Sequence, residues 1–295
     1  MVKIVCIPAY NEERVIGDIV KKSLKYADKV IVCDDGSTDN TALVSKKSGA
    51  EVISLKKNLG KGAAMRSLFR SAIDNDPDVV VTIDGDGQFL PEEIPKLMSP
   101  ILENKADLVI GYRFDSAEEM PSYRKMGNKL LDKITSMASN LTFRDTQSGF
   151  RAYSKKALKL IDFSTDGFGA DAEILVNMSS QGLRILEEKV TVIYNTGGRT
   201  STSDPISHGS SVFLNTLRYV SVKRPLTYYA IPGIILIIIG SVFGYAFLSA
   251  YLHGKGIYLA SLGAAVILVL FGTILCVTAV ILFTMATLIR DKGLR

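Results

Sequence analysis

Short apolar runs alternate with longer stretches of helical spacing over the first 112 residues of the chain. The runs at 2–7, 30–33, 51–55, 79–83 and 108–111 are rich in Val and Ile and too short for helices, so they predict strands. Between them, residues 13–25, 40–48, 62–73 and 91–104 carry helical spacing or helix start signals. Repeated βα units of this kind predict an α/β fold, a mostly parallel sheet with helices on both faces. In such sheets ligands bind beyond the carboxyl ends of the strands. Residues 113–226 are more irregular, with a helical stretch at 171–181 and a strand at 184–194.

The pattern changes after residue 226. Residues 228–251 are 24 positions without a charge, and residues 257–289 are 33. At about 1.5 Å of rise per residue each is long enough to cross roughly 30 Å of hydrocarbon. Residues 252–256 leave room only for a short turn, so a two-helix transmembrane hairpin is expected. Pro232 falls in the opening turns of the first span, where a missing N–H costs little. Lys223, Arg224, Arg290, Lys292 and Arg295 share one side of that hairpin against Lys255 in the turn. The positive-inside bias then puts the soluble part and both termini in the cytoplasm, on a multi-pass protein of the cell membrane. Val212, Phe213, Leu217 and Val220 fit a short helix lying on the bilayer surface, and fit a core helix equally well. The organisation expected is a soluble domain at 1–206, with halves 1–112 and 113–206, a juxtamembrane helix at 207–226 and the hairpin at 227–295.

Composition narrows the function. Of the chain's 35 basic and 30 acidic residues, four and one lie beyond residue 226, leaving the soluble part with 31 and 29. That near balance argues against nucleic acid as a partner, which calls for a basic stripe. Cys6, Cys33 and Cys276 sit in apolar runs and read as small hydrophobes rather than disulfide partners. With only His208 and His253 in the chain, a histidine-rich zinc site is excluded. The first apolar run is too short for a signal peptide and carries Lys3.

Polar clusters stand at the carboxyl ends of three predicted strands. They are Pro8-Ala9-Tyr10-Asn11-Glu12, Asp34-Asp35-Gly36-Ser37 and Asp84-Gly85-Asp86-Gly87-Gln88. Asn11, Glu12, Ser37 and Asp39 also suit helix capping. The third cluster is the most informative. Its glycines let backbone approach a ligand, and its oxygen donors two residues apart suit Mg²⁺ or Mn²⁺ beside a diphosphate. A calcium loop would need a carboxylate at 88 and Glu at 95, where Gln88 and Pro95 stand. Gly60-Lys61-Gly62 lacks the Walker pattern and reads as a tight start to a helix, with Lys61 near a phosphate. Arg113, Arg124, Arg151, Arg199 and Arg218 are cations without an evident structural duty, and Asp145-Thr146-Gln147-Ser148-Gly149-Phe150-Arg151 forms a further polar cluster.

Together with Gly111-Tyr112-Arg113 and Tyr123-Arg124-Lys125, these motifs resemble family 2 glycosyltransferases of the GT-A fold. Within that family the chain is similar to the dolichyl-phosphate mannose synthase and polyprenyl-phosphate hexosyltransferase group. The resemblance implies a nucleotide pocket lined by Pro8, Tyr10, Glu12, Asp34, Asp35 and Asp84. It implies a divalent ion, Mg²⁺ or Mn²⁺, on Asp86 and Gln88. Asp145 and Gln147 would face the donor sugar or its diphosphate, and Arg113, Arg124, Arg199, Ser201 and Ser203 the acceptor phosphate. The chain departs from the family at Ser203, which is followed by Asp204-Pro205 rather than Lys. The implied partners are a nucleotide-sugar, GDP-mannose or a UDP-hexose, dolichyl or polyprenyl phosphate, and the bilayer, with self-association through the spans left open. Two alternatives stand beside this. One is a membrane-tethered binding protein without turnover, and the other a processive polysaccharide synthase, which would carry a Gln-x-x-Arg-Trp motif. The chain has no Trp.

Overall fold

The computed structural model describes residues 1–113, 136, 142–165, 169–193, 225–253 and 259–291. The chain divides into two compact units, Met1–Thr216 and Leu217–Arg295.

In the first unit the strands are β1 (Lys3–Ala9), β2 (Lys29–Asp34), β3 (Glu51–Ser54), β4 (Val79–Thr82), β5 (Leu108–Tyr112), β6 (Arg151–Ser154) and β7 (Ile185–Lys189). They form one sheet in the order β3-β2-β1-β4-β6-β5-β7. All run parallel except β6, which is antiparallel to both β4 and β5. The first five strands match the sequence expectation to within two residues at each end. The strand expected over 184–194 is shorter, Ile185–Lys189, and β6 was not anticipated.

Alternation along the strands builds a core on each side of the sheet. Val5, Ile7, Val30, Val32, Val79 and Val81 point to one side, where helices α1 (Ile16–Ser23) and α4 (Ile94–Leu102) bury Ile16, Ile19, Val20, Leu97 and Met98. Ile4, Cys6, Ile31, Cys33 and Val80 point to the other. There they meet Met65, Leu68 and Phe69 of α3 (Lys61–Ile73), Leu158 of α5 (Lys155–Lys159) and Ile174, Leu175 and Met178 of α6 (Ala170–Ser180). Each such side chain contributes about 1.5–3 kcal/mol by leaving water. Helix α2 (Thr41–Lys47) completes the second βα unit.

The direction of β6 matters for function. Its register pairs Thr82 with Arg151 and Val79 with Ser154, so its amino end lies at the carboxyl end of β4. The loop before Arg151 therefore reaches the same rim as the loops that follow the parallel strands.

The second unit holds two spans long and apolar enough to cross a membrane, Leu226–Leu252, which takes in α7 (Ile231–Leu252), and Leu259–Met285 of α8 (Leu259–Asp291). They pack as an antiparallel pair through glycine. A Cβ on Gly233 would stand 2.7 Å from the Gly272 carbonyl oxygen, and one on Gly272 2.6 Å from that of Gly233. Gly240 meets Ala265, Leu268 and Val269 in the same way. Small residues allow this backbone approach. Ser241, Thr273, Thr278, Thr284 and Thr287 each donate to the carbonyl four residues back, so their hydroxyls are satisfied within their own helix.

Candidate functional site

Loops after β1 and β2 are tied to each other before they are tied to anything else. Asn11 takes a left-handed backbone (φ 57°), donates from its N–H to Ser37 Oγ (2.9 Å), and accepts from Thr38 N on Oδ1 (2.8 Å). Glu12 N donates to Thr41 Oγ1 at 2.8 Å. Asn11 is thus a cross-loop brace rather than a helix cap, and α1 begins later than expected, at Ile16. Asp39 does act at a helix start, accepting from Thr41 N at 2.9 Å.

Asp34 and Asp35 are buried where β2 ends. Asp34 Oδ1 accepts from Ser37 N at 3.1 Å. Asp35 accepts from Leu59 N and Gly60 N, each at 2.8 Å, and so fixes the segment leading into α3. Burial raises the Asp35 pKa against the pull of those two N–H groups. Gly36 has φ 70°, and a Cβ there would stand 2.4 Å from the Lys57 carbonyl carbon, so only glycine lets these loops close.

The loop after β4 lies against the end of β1. A Cβ on Gly85 would stand 2.9 Å from the Pro8 carbonyl oxygen. Asp84 Oδ1 pairs with Lys61 Nζ at 2.8 Å, and Lys61 pairs in turn with Asp171 Oδ2 at 3.0 Å. Burial acts to lower the Lys61 pKa, but the charges of Asp171 and then Asp84 outweigh it and hold it above the ordinary lysine range. Asp86 accepts from Gln88 N at 3.0 Å. Its carboxyl is pushed up to about 6, first by burial and then by the charge of Asp84, against the Gln88 N–H and the charges of Lys61 and Arg113. The far end of this loop is pinned by Ile193 N donating to the Gln88 carbonyl (2.9 Å) and by a bridge between Phe89 and Val192.

Arg113, one residue past β5, grips the fully buried Asp145 with both arms of its guanidinium, at 2.5 Å from Nε and 2.9 Å from a terminal nitrogen. Beside it, Arg144 stacks 4.8 Å above the Tyr112 ring and donates to its hydroxyl at 3.0 Å. Gln147 is half-buried and donates to Thr146 Oγ1 at 3.2 Å. Arg151 has a structural duty after all. Fully buried, it donates to the carbonyls of Ser148, Asp171 and Thr146, each at 2.8 Å, and so moulds the loop before β6 onto the start of α6.

Asp84, Asp86, Lys61, Arg113 and Asp145 are therefore brought into one charged cluster, with Pro8, Asp34 and Asp35 along the same rim. Arg124, Arg199, Ser201 and Ser203 lie outside the described residues, as does most of the 207–226 segment. Asp171 escaped the sequence reading, since its link to Lys61 spans 110 residues and no local motif announces it.

The donor set suits a hard divalent ion completed by substrate. Asp84 and Asp86 carry like charges close enough to raise the proton affinity of Asp86. Among the described residues no three His, Cys, Asp or Glu side chains surround a common point. Asp86 and Gln88 carry hard oxygen donors of the kind that such an ion takes.

Comparison with known proteins identifies the fold and the family. The glucosyl-3-phosphoglycerate synthase of Mycobacterium tuberculosis, solved with Mn²⁺, uridine diphosphate and phosphoglyceric acid, has a similar fold. The TM-score is 0.59 at 22% identity, over 74% of this chain and 78% of that one. The first unit thus has the mixed α/β sheet of GT-A glycosyltransferases. Residues 4–161 match Glycosyl transferase family 2, and the chain belongs to that family. Among its relatives, the UDP-N-acetylglucosamine–dolichyl-phosphate N-acetylglucosaminyltransferase of Methanococcus voltae is 33% identical over 64% of this chain and 84% of its own length. The dolichyl-phosphate hexose transferase of Haloferax volcanii is 31% identical over 70% and 89%.

Proposed function

We propose that this glycosyltransferase moves a hexose from a nucleotide-sugar to dolichyl or polyprenyl phosphate at a membrane surface, inverting the anomeric carbon. The observation that carries the reading is the Asp84–Gln88 loop, held at the sheet rim against Pro8 and beside the Lys61 and Arg113 cations. Relatives named for dolichyl-phosphate acceptors and the two apolar helices support a lipid-borne partner.

In this reading the base and ribose lie along Pro8, Tyr10, Glu12, Asp34 and Asp35. Asp86 and Gln88 would hold Mg²⁺ or Mn²⁺, which supplies charge neutralisation for the departing nucleoside diphosphate. The acceptor phosphate is received by Arg113, Arg124 and Arg199, with Ser201 and Ser203 beside them, because guanidinium forks match phosphate oxygens. A phosphate oxygen attacks the anomeric carbon as the bond to the diphosphate breaks. No general base is needed, since a phosphate monoester with a second pKa of about 6 is already ionised at neutral pH. Asp145 keeps the Arg113 fork aimed, and Gln147 stands at the same rim. Catalysis is then positioning and charge screening between two anions.

The chain is organised in this reading as a catalytic domain at 1–206, a juxtamembrane helix at 207–226 and a transmembrane hairpin at 227–295. The catalytic domain and both termini face the cytoplasm. The test is to incubate membranes carrying the full chain with polyprenyl phosphate, Mg²⁺ or Mn²⁺, and GDP-mannose, UDP-glucose or UDP-N-acetylglucosamine in turn. A sugar-phosphate lipid formed with one donor is the result expected. No lipid product with any donor, from protein that still binds nucleotide, overturns the acceptor assignment.

A further inference from the structure

Within the charged cluster Lys61 bridges two carboxylates from different parts of the chain, Asp84 and Asp171. It opens α3, Asp84 follows β4, and Asp171 lies in the first turn of α6. Of the two contacts, that to Asp171 (3.0 Å) joins side chains only 10% and 4% exposed, while that to Asp84 (2.8 Å) meets a carboxylate 26% exposed. Gly149 seals the group from above, for a Cβ there would stand 2.5 Å from Lys61 Nζ. The Asp171 carbonyl is itself held by Arg151, so the anchor of Lys61 is rigid.

We infer that Lys61, anchored by Asp171, is a positioning residue that occupies Asp84 as its counter-ion, so that the divalent ion is loaded together with the donor diphosphate rather than before it. This inference rests on the metal-site reading given above. The physical argument is one of charge. With Asp84 neutralised by the ammonium on its Oδ1, Asp86 and the Gln88 amide supply too little negative charge to hold a hard cation firmly before nucleotide arrives. A diphosphate brings the missing oxygens and negative charge. Removing the ammonium would free a second carboxylate and withdraw a repelling charge a few ångströms from the ion.

The test is Mn²⁺ binding to the full-length, detergent-solubilised protein, followed by electron paramagnetic resonance with and without UDP or GDP. Because Lys61→Met alone would strand the buried Asp171 charge, the main variant is Lys61→Met combined with Asp171→Asn, with Lys61→Arg as the conservative control. The expected result is that the double variant binds Mn²⁺ at least about tenfold more tightly than wild type without nucleotide, while Lys61→Arg restores weak binding. In wild type, Asp84→Asn should weaken nucleotide-free Mn²⁺ binding less than Asp86→Asn does, since only the second removes a ligand. Unchanged or weaker binding by the double variant, or a loss in Asp84→Asn equal to that in Asp86→Asn, overturns the inference alone. Wild type that binds no Mn²⁺ even with saturating UDP and GDP overturns the metal-site reading and this inference with it.

Discussion

Gly149 and Asp84 sit so close that a Cβ on the glycine would stand 2.5 Å from both carboxylate oxygens. The absence of a side chain at 149 is what lets the loop before β6 close over the ion pair of Asp84 and Lys61.

Gly149→Ala should therefore push that pair apart. The methyl group has no room, and overpacking of this kind costs about 1–3 kcal/mol. Thermal unfolding should show a loss of that size, and transfer activity should fall by at least about tenfold, because the displaced groups line the proposed diphosphate site. Wild-type turnover in a stable Gly149→Ala protein would place the reaction elsewhere.

Asp86→Ala should abolish transfer while leaving the fold intact, since the side chain is half-buried and its hydrogen bond to Gln88 N is local. Loss of a group that stabilises developing charge costs at least about a hundredfold in kcat. Circular dichroism and assayed turnover on one preparation check both halves of the statement. Unchanged activity would remove the metal role from this residue.

Arg113 and Asp145 should behave as a unit. Truncating Arg113 leaves a fully buried carboxylate without its fork, a change that costs about 3–5 kcal/mol for buried pairs. The double variant Arg113→Ala, Asp145→Ala should be less destabilised than the sum of the singles, and a double-mutant cycle in urea measures the difference. Additive effects would mean that the pair is not coupled.

Acid should expose a second pair, at the amino ends of β5 and β7. The carboxylate of Asp107 accepts from Arg184 N (2.9 Å) and Nε (3.1 Å), and these bonds, first that of the side chain, hold its pKa below the ordinary value. A depressed carboxyl pKa adds stability that is present above the unfolded-state value of about 3.9 and lost as pH falls through the folded-state value. Asp107→Asn should lower stability at neutral pH and flatten the decline below about pH 4. An acid limb as steep as that of wild type in urea melts across that range would refute this role.

The parallel half of the sheet was legible because each strand there is a run of branched apolar residues ending in a polar cluster. β6 was not. It is four residues long, begins with a charged side chain, and becomes a strand only because β4 and β5 flank it. Arg151 read as a surplus cation for the same reason, since its three carbonyl partners come together only in the folded loop. Within the site, Asp84 and Asp86 announce themselves through local glycines, whereas Asp171 meets Lys61 from a distant helix. Single-sequence patterns carry local geometry and say little about such long-range electrostatic partners.

The reversed direction of β6 also sorts the tolerance of this scaffold to changes in length. The stretch just ahead of Arg151 has no room for an insertion, because Gly149 leaves no space for a Cβ and Arg151 holds the Thr146 and Ser148 carbonyls. Residues added behind Ser154 would emerge beside Val79, at the opposite margin, where they could not reach a sugar. One backward strand thus separates a margin fixed by the charged cluster from one that is free to lengthen.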